Sequence, residues 1–362
     1  MCHQWSGSAF MGKVKCEHAQ YPWPPRKEIA ITVISSLGDL ATGSLAASVL
    51  PVTADPLLPT TRRLVKCASS ICASLPSPVV TAVVTGASRG LGLALARGLL
   101  ASKPPVRVVL TARDAEAACV TADALRRDLF GSGSSDLLEV YKAPLDLSDG
   151  QSVDNFACFA ESKLGGVDLL LNNAAVCPEG WNRAAVRCCF RTNVIGPLML
   201  SRALLPGMLR RGRGHIVNIS SGDGELVYLS ADLQHALRDA QSERDVLRTL
   251  AEAMPPRDAF GPSPAHGSTP AYSASKAAMN AITRISASRL PPSDVCGVRL
   301  SAVCPGDVQT RMLDRSDEMA CRNAIPPETA ARDVVWLATA GLSAETALPS
   351  GHFWRHRQRI SW

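Results

Sequence analysis

Val79 to Leu100 reads VVTAVVTGASRGLGLALARGLL. A β-rich apolar run from Val79 to Val84 stops at Gly86, and a helical pattern of Leu93, Ala96 and Leu100 begins just after Gly92. This is a strand, a glycine turn and a helix. In such a unit the first glycine lets the backbone turn sharply, the second lets a phosphate approach the main chain, and the third lets helix and strand pack closely. The free N–H groups and positive end of the helix then face an anion. The spacing, Gly86, Gly90 and Gly92, is G-x-x-x-G-x-G rather than G-x-G-x-x-G. By itself it also fits a tight turn that holds no ligand.

Outward from the turn, strands and helices alternate. Val106 to Thr111 is a second β-branched run, followed by a helical stretch over Ala115 to Phe130. Leu137 to Tyr141 is a third strand and Gln151 to Leu164 another helix. A fourth strand, Val167 to Leu171, ends in Asn172-Asn173-Ala174-Ala175. A long helix through Arg187 to Leu209 leads to the strand His215 to Ser220. Continuous apolar strands separated by helices imply a parallel sheet covered on both faces, an α/β, doubly wound Rossmann fold with ligands at the carboxyl ends of the strands.

No strand is expected between Ser221 and Tyr272. Leu226, Leu229, Leu233, Leu237, Leu247 and Leu250 recur at spacings near three and four, which predicts one or two amphipathic helices inserted at about 222–270. A helix over Ala271 to Leu290, the strand Val298 to Val303, a Pro305-Gly306 turn, a polar loop to Arg322, a helix over Pro327 to Ala340 and a short strand at Gly351 to Trp354 complete the chain.

The 362 residues are 46% hydrophobic, ample for a substantial core. A net charge of +6 without a basic stripe or interleaved aromatics is no nucleic-acid footprint. Twelve cysteines, with no C-x-x-C pair and several in apolar runs, read as reduced thiols of an intracellular protein. The seven scattered histidines argue against a zinc site. Residues 1–77 are rich in Pro, Ser and Ala, carry seven Lys or Arg against four Asp or Glu, and show no clear period. They read as an N-terminal extension, either disordered or a targeting segment, and Ile29 to Val52 is too interrupted to span a membrane. The expected address is cytoplasmic, with a plastid or mitochondrion as the alternative if that segment targets. The remaining 78–362 form one domain.

Tyr272 and Lys276 stand four residues apart in Y-S-A-S-K and so share a helix face. A free phenol is a poor proton donor at neutral pH, and a neighbouring ammonium is expected to lower its pKa. A tyrosine so tuned passes a proton to a carbonyl oxygen as hydride reaches the carbon.

Together with Thr85 to Gly92 and Tyr272 to Lys276, six further stretches occur in the order found in one family: Leu110-Thr111-Ala112-Arg113-Asp114, Leu145-Asp146-Leu147, Asn172-Asn173-Ala174, Thr192-Asn193, Asn218-Ile219-Ser220-Ser221 and Cys304-Pro305-Gly306. The chain resembles the short-chain dehydrogenase/reductases, and within them the monomeric carbonyl reductases. The resemblance implies that Ser221 holds the substrate carbonyl oxygen, Tyr272 is the general acid in reduction, Lys276 tunes it and bonds the nicotinamide ribose, and Asn193 holds a water in the proton relay. It also places Gly86, Ser88, Arg89, Gly90, Leu91 and Gly92 around the phosphates, Asp146 and Leu147 near adenine, and Asn172 and Ala174 near the adenosine ribose. Pro305, Gly306 and Thr310 fall around the nicotinamide.

Arg113 stands where an acidic residue would bond a ribose 2′-OH, so with Arg89 it favours NADP(H), although Asp114 follows it. Ala175 departs from the family's usual glycine. The function expected is NADPH-dependent reduction of a small-molecule aldehyde or ketone by a monomer. The rivals are a reductase of steroids, quinones, pteridines or acyl-thioester ketones, or a dinucleotide-binding regulatory protein without turnover. Leu226, Tyr228, Trp181 and the loop from Met312 to Met319 are candidate walls of the substrate pocket.

Overall fold

A computed structural model describes residues 79–104, 106–131, 136–255, 263–265, 267–313, 318–342 and 348–362. The extension over 1–77 lies outside the described residues. The first half of the domain alternates strictly: β1 (Val80–Val84), α1 (Gly90–Leu100), β2 (Val106–Leu110), α2 (Ala115–Phe130), β3 (Leu138–Val140), α3 (Gly150–Lys163) and β4 (Leu169–Asn172). Helix α4 (Arg183–Cys189), a π-helical turn over Phe190–Ile195 and α5 (Gly196–Arg211) then lead to β5 (Gly214–Ile219). The described strands make one sheet in the order β3-β2-β1-β4-β5, continued by β6 (Val298–Val303), β7 (His352–Arg355) and β8 (Gln358–Ile360). All pairings are parallel except β7 with β8.

Neighbouring residues of one strand serve different cores. Val84, Leu110 and Leu171 pack with Leu95 and Leu99 of α1 and Val334 and Leu337 of a late helix, whereas Val83, Val109 and Leu170 pack with Phe156 of α3 and Leu200 and Leu204 of α5. Both faces of each central strand are therefore apolar, which is why these strands read as continuous hydrophobic runs. The order of connections reverses between β1 and β4, and a crevice opens there beyond the carboxyl ends.

The insertion contains two helices, α6 (Ala231–Asp239) and α7 (Glu243–Glu252). Each starts at a serine: Ser230 caps α6 and Ser242 forms a capping box with Asp245. Leu233, Leu237, Val246 and Leu250 are buried together with Leu226, Leu229 and Met279 in a core of their own, against the long helix α8 (Pro270–Ser288). Arg284 of α8 donates to the carbonyls of Leu237, Arg238 and Ala240 at the end of α6. The buried Glu243 accepts from Ser286 of α8 and from Arg202 of α5.

The structure departs from the sequence expectations in four places. The helix expected over Arg187 to Leu209 begins at Arg183 and is broken by the π turn. The strand-free insertion makes one isolated antiparallel bridge, Leu229 with Ala265. Short helices α9 (Ser293–Cys296) and α10 (Glu318–Asn323) occupy stretches read as loop, ahead of α11 (Pro327–Ala340). The terminal strand is a hairpin of two, turning through His356 and Arg357 at φ +49° and +61°. Such a turn normally advertises itself with Asn-Gly, so nothing in His356-Arg357 announces it. Among the described residues no helix is long and apolar enough to cross a membrane.

Candidate active site

The glycine turn is fixed by close contacts rather than by its flexibility. Gly86 adopts φ +65°, and a Cβ there would lie 3.0 Å from Ala174 on the far side of the crevice. Gly92 admits no side chain, since its Cβ would lie 2.4 Å from Gly86 O and 2.6 Å from Asn173 Nδ2. The Thr85 hydroxyl accepts from the N–H groups of Asn173 and Ala174, both at 3.0 Å, and Asn173 Nδ2 donates to Thr85 O at 2.8 Å. These bonds tie the ends of β1 and β4 together. No side chain caps α1, so its leading N–H groups are left for a ligand, with Arg89 exposed beside them. A Cβ on Gly90 would lie 3.3 Å from Thr310, which brings the loop after β6 up to the same turn.

At the end of β2, Arg113 is exposed. Asp114 next to it is committed elsewhere: its carboxylate caps α2 by accepting from Ala117 N at 2.9 Å. Asp146 accepts from the N–H and hydroxyl of Ser148, and Leu147 is buried against Gly196. Ala175 adopts no positive φ, so its backbone carries a side chain without strain. Gly306, at φ +80°, would meet nothing within 4 Å and leaves open space beside Pro305. These features fit a dinucleotide: a turn with glycine at its close approaches, a helix start without a side-chain cap, two exposed cations and an open Pro-Gly loop.

Asn172 is a partial exception. Its side chain donates to Asn218 Oδ1 at 2.8 Å and to Ser201 at 3.1 Å and is 4% exposed, so it braces the sheet from inside.

Four further residues converge where β5, the π turn and α8 meet. Ser221 follows β5 and caps a short turn over Gly222–Gly224 by accepting from Asp223 N at 3.2 Å. Its hydroxyl acts on the phenol of the buried Tyr272, drawing the phenol's pKa down. Lys276, one helical turn later, is 4% exposed, with Nζ donating to Ile219 O at 2.7 Å and 5.3 Å from the centroid of the Tyr272 ring. Burial pulls the Lys276 ammonium down to about 8, against the opposing pull of Cys177, Cys189, Cys304 and Asp223.

Tyr272 moves opposite to expectation. Burial pushes its phenol well above the usual range, and the Ser221 hydroxyl offsets only part of this. Desolvation of a fully enclosed phenol outweighs a lysine whose ammonium is aimed at a backbone carbonyl.

Asn193 also differs from the expected arrangement. Its Nδ2 donates to Val176 O at 2.9 Å and Ser275 Oγ at 3.0 Å, while Oδ1 accepts from Val176 N at 2.9 Å. Both amide hydrogens are used inside the protein, so the side chain is a brace. The π turn in which it lies is a device found often at functional sites, because it displaces backbone carbonyls from the helical ladder.

The model of the family described as short chain dehydrogenase matches residues 80–231 and 264–320, more than half of the chain. The chain belongs to this family. The carbonyl reductase (NADPH) 1 of Macaca fascicularis is 30% identical over 297 residues, 80% of this chain and 100% of that protein. The (+)-neomenthol dehydrogenase of Arabidopsis thaliana is 29% identical over 305 residues, 76% of this chain and 96% of the relative. Salutaridine reductase from Papaver somniferum shares the fold, with a TM-score of 0.62 at 24% identity over 76% of this chain and 99% of that one. As a short chain dehydrogenase the chain is an oxidoreductase acting on CH–OH or C=O groups with a nicotinamide dinucleotide.

Two of the dehydrogenase's expected pocket walls are core instead. Leu226 and Trp181 are 2% and 5% exposed within the cluster that joins the insertion to α8, because an apolar repeat serves packing before it serves a ligand. Tyr228 and Met312 are exposed, and residues 314–317 lie outside the described residues. Thr85, Asn173, Glu225 and Arg355 join the site without having been expected there. Only the first two carry a signal, since they flank the glycine turn and the end of β4.

Proposed function

We propose that this dehydrogenase is an NADPH-dependent reductase of aldehydes and ketones. The observation that carries it is the convergence of Ser221, Tyr272 and Lys276, with Lys276 Nζ buried 5.3 Å from the Tyr272 ring centroid and the Ser221 hydroxyl acting on the phenol. The residues that would hold the cofactor are Gly86, Ser88, Arg89, Gly90, Leu91 and Gly92 at the phosphates, Arg113 at the 2′-phosphate, Asp146, Leu147 and Ala174 at the adenosine, and Pro305, Gly306 and Thr310 at the nicotinamide. When bound, the cofactor supplies hydride to the carbonyl carbon.

The chain's own residues supply the rest. A phenol kept neutral by burial holds its proton on Oη and donates it to the substrate oxygen as negative charge develops there. The Ser221 hydroxyl donates to the same oxygen and stabilises that charge. Lys276 holds a cation beside the phenol, favouring the phenolate left behind, and would bond the nicotinamide ribose. Asn193 braces Val176 and Ser275, and any water of the proton relay is held by backbone of its π turn rather than by its amide.

Preference for NADPH is supported by the exposed Arg113 and by the engagement of the neighbouring Asp114 carboxylate in capping α2. The NADPH in the name of the Macaca relative supports the same choice. A monomer is supported by the insertion, whose two helices lie against α8 and are tied to it by Arg284 and Glu243.

The deciding assay gives purified protein NADPH and a panel of aldehydes and ketones and follows cofactor oxidation. Wild type is expected to turn over, and Tyr272→Phe to lose at least about a thousandfold in kcat while binding NADPH nearly as well. Wild type that binds NADPH but reduces nothing on a broad panel would identify a dinucleotide-binding protein without turnover.

A further inference from the structure

The serine turn and the Pro305-Gly306 turn rise from adjacent strands, β5 and β6, and both have their geometry set by side chains. Ser221 Oγ accepts from Asp223 N, and Cys304 Sγ accepts from Gly306 N at 3.4 Å. One guanidinium reaches both. Arg355, at the end of β7, donates from Nη2 to Glu225 Oε1, which follows the serine turn, and its charge acts on the Cys304 side chain; the Cys304 N–H in turn donates to O of the neighbouring Trp354 at 2.8 Å. A Cβ on Gly222, the residue after Ser221, would lie 3.0 Å from Arg355 Nη2, so the guanidinium lies directly against the turn. On its other side that turn is pressed onto α8, where a Cβ on Gly224 would lie 2.9 Å from Lys276 and Asn280 donates to Gly224 O at 3.2 Å.

From this geometry we propose that Arg355, paired with Glu225, is a positioning residue that holds Ser221 and the Pro305-Gly306 turn at a fixed separation. Arg355 touches no reacting atom; it acts through Glu225 and Cys304. A planar guanidinium with several donors can bridge two acceptors at once, whereas a lysine ammonium of similar reach lacks that fork. With the side chains of Arg355 and Glu225 at 30% and 27% exposure, the pair contributes little to global stability. Its effect is on alignment, where errors well under 1 Å cost rate. The kinetic half of the test rests on the reductase function proposed above; the structural half does not.

Amide hydrogen exchange by mass spectrometry on the full chain compares wild type with Arg355→Met, Arg355→Lys and Glu225→Gln. In Arg355→Met, peptides spanning 222–226 and 304–307 are expected to exchange about tenfold faster while β1 and β4 stay unchanged, with Arg355→Lys intermediate. In steady state, Arg355→Met is expected to lose about 10- to 100-fold in kcat, with the KM for NADPH within about twofold of wild type. Glu225→Gln combined with Arg355→Met should be no worse than Arg355→Met alone. Unchanged exchange in both peptides, or a rise spread evenly over the whole sheet, overturns the proposal. So does a kcat within twofold of wild type. A wild type that turns over nothing counts against the reductase function alone, and the exchange data then decide the role of Arg355.

Discussion

Asn193 and Val176 are joined twice, Val176 N–H donating to Asn193 Oδ1 and Asn193 Nδ2 donating to Val176 O, each at 2.9 Å. The pair fastens the π turn to the segment that leaves β4, and Asn193 Nδ2 also reaches Ser275, between Tyr272 and Lys276. Asn193→Ala leaves Val176 N–H, Val176 C=O and the Ser275 hydroxyl short of a partner in a site 3% exposed. A loss of about 2–4 kcal/mol is expected in urea unfolding. Activity should fall with it, including at temperatures where the variant is fully folded.

The proposed NADPH preference assigns cofactor discrimination to Arg113 and not to Asp114. Arg113→Asp is expected to shift the NADPH to NADH ratio of kcat/KM by about 100-fold or more toward NADH, because it replaces a phosphate partner with a repelling charge. Asp114→Ala should leave the ratio within about threefold and cost about 1 kcal/mol in thermal unfolding through loss of the α2 cap.

Lys276 sets a pH limit. Burial lowers its ammonium to about 8, so in the free enzyme the cation is present below that pH and lost above it. The kcat/KM for NADPH is therefore expected to decline as pH rises through about 8. That limb should be absent from the residual activity of Lys276→Met.

His215 governs acid tolerance from the opposite end of the sheet. It is fully buried, with Nδ1 at 3.1 Å from Ala338 O and Nε2 at 3.0 Å from Ser301 Oγ, and burial pulls its imidazole down to about 4. The unfolded chain takes up this proton near pH 6.5 and the folded chain only near 4. Stability is thus complete above about 6.5 and lost as pH falls towards 4, by up to about 3 kcal/mol. Thermal melts from pH 7 to 4 should show this slope in wild type and a flatter one in His215→Gln.

Gly92→Ala tests the glycine turn. The new methyl must displace Gly86 O and Asn173 Nδ2 together, so NADPH binding measured by fluorescence titration should weaken at least tenfold and the midpoint of melting should drop.

Elements bounded by local chemistry are legible in the amino-acid sequence. Helix α2 spans Ala115–Phe130 as expected, because Asp114 caps it and Gly131 follows it; β6 and α11 also match. The candidate catalytic residues are legible from motif order, and the structure brings Ser221, Tyr272, Lys276 and Asn193 to one place. What escapes a linear reading depends on the third dimension. The π turn has no composition of its own, the β7–β8 hairpin turns through residues that rarely adopt positive φ, and Glu225 and Arg355 stand 130 residues apart. The direction of the Tyr272 shift escapes for a related reason: spacing puts a lysine nearby but does not say how deeply the phenol is buried.

The strand order has a consequence for how the chain is made. The strands β3, β2, β1 and β4 are neighbours in the sheet and also the first four to be synthesised, ending at Asn172. Ala82 can thus pair with Leu169, and Thr85 can clasp Asn173, while the stretch bearing Ser221 and Tyr272 is still on the ribosome. The glycine turn and its clasp to β4 are thus complete as a half-sheet before Ser221, Tyr272 or the loop bearing Thr310 is made, and β5 and β6 are then added to one waiting edge. Assembly proceeds outward from an edge already in place, which spares the exposed β4 a long search for its partner.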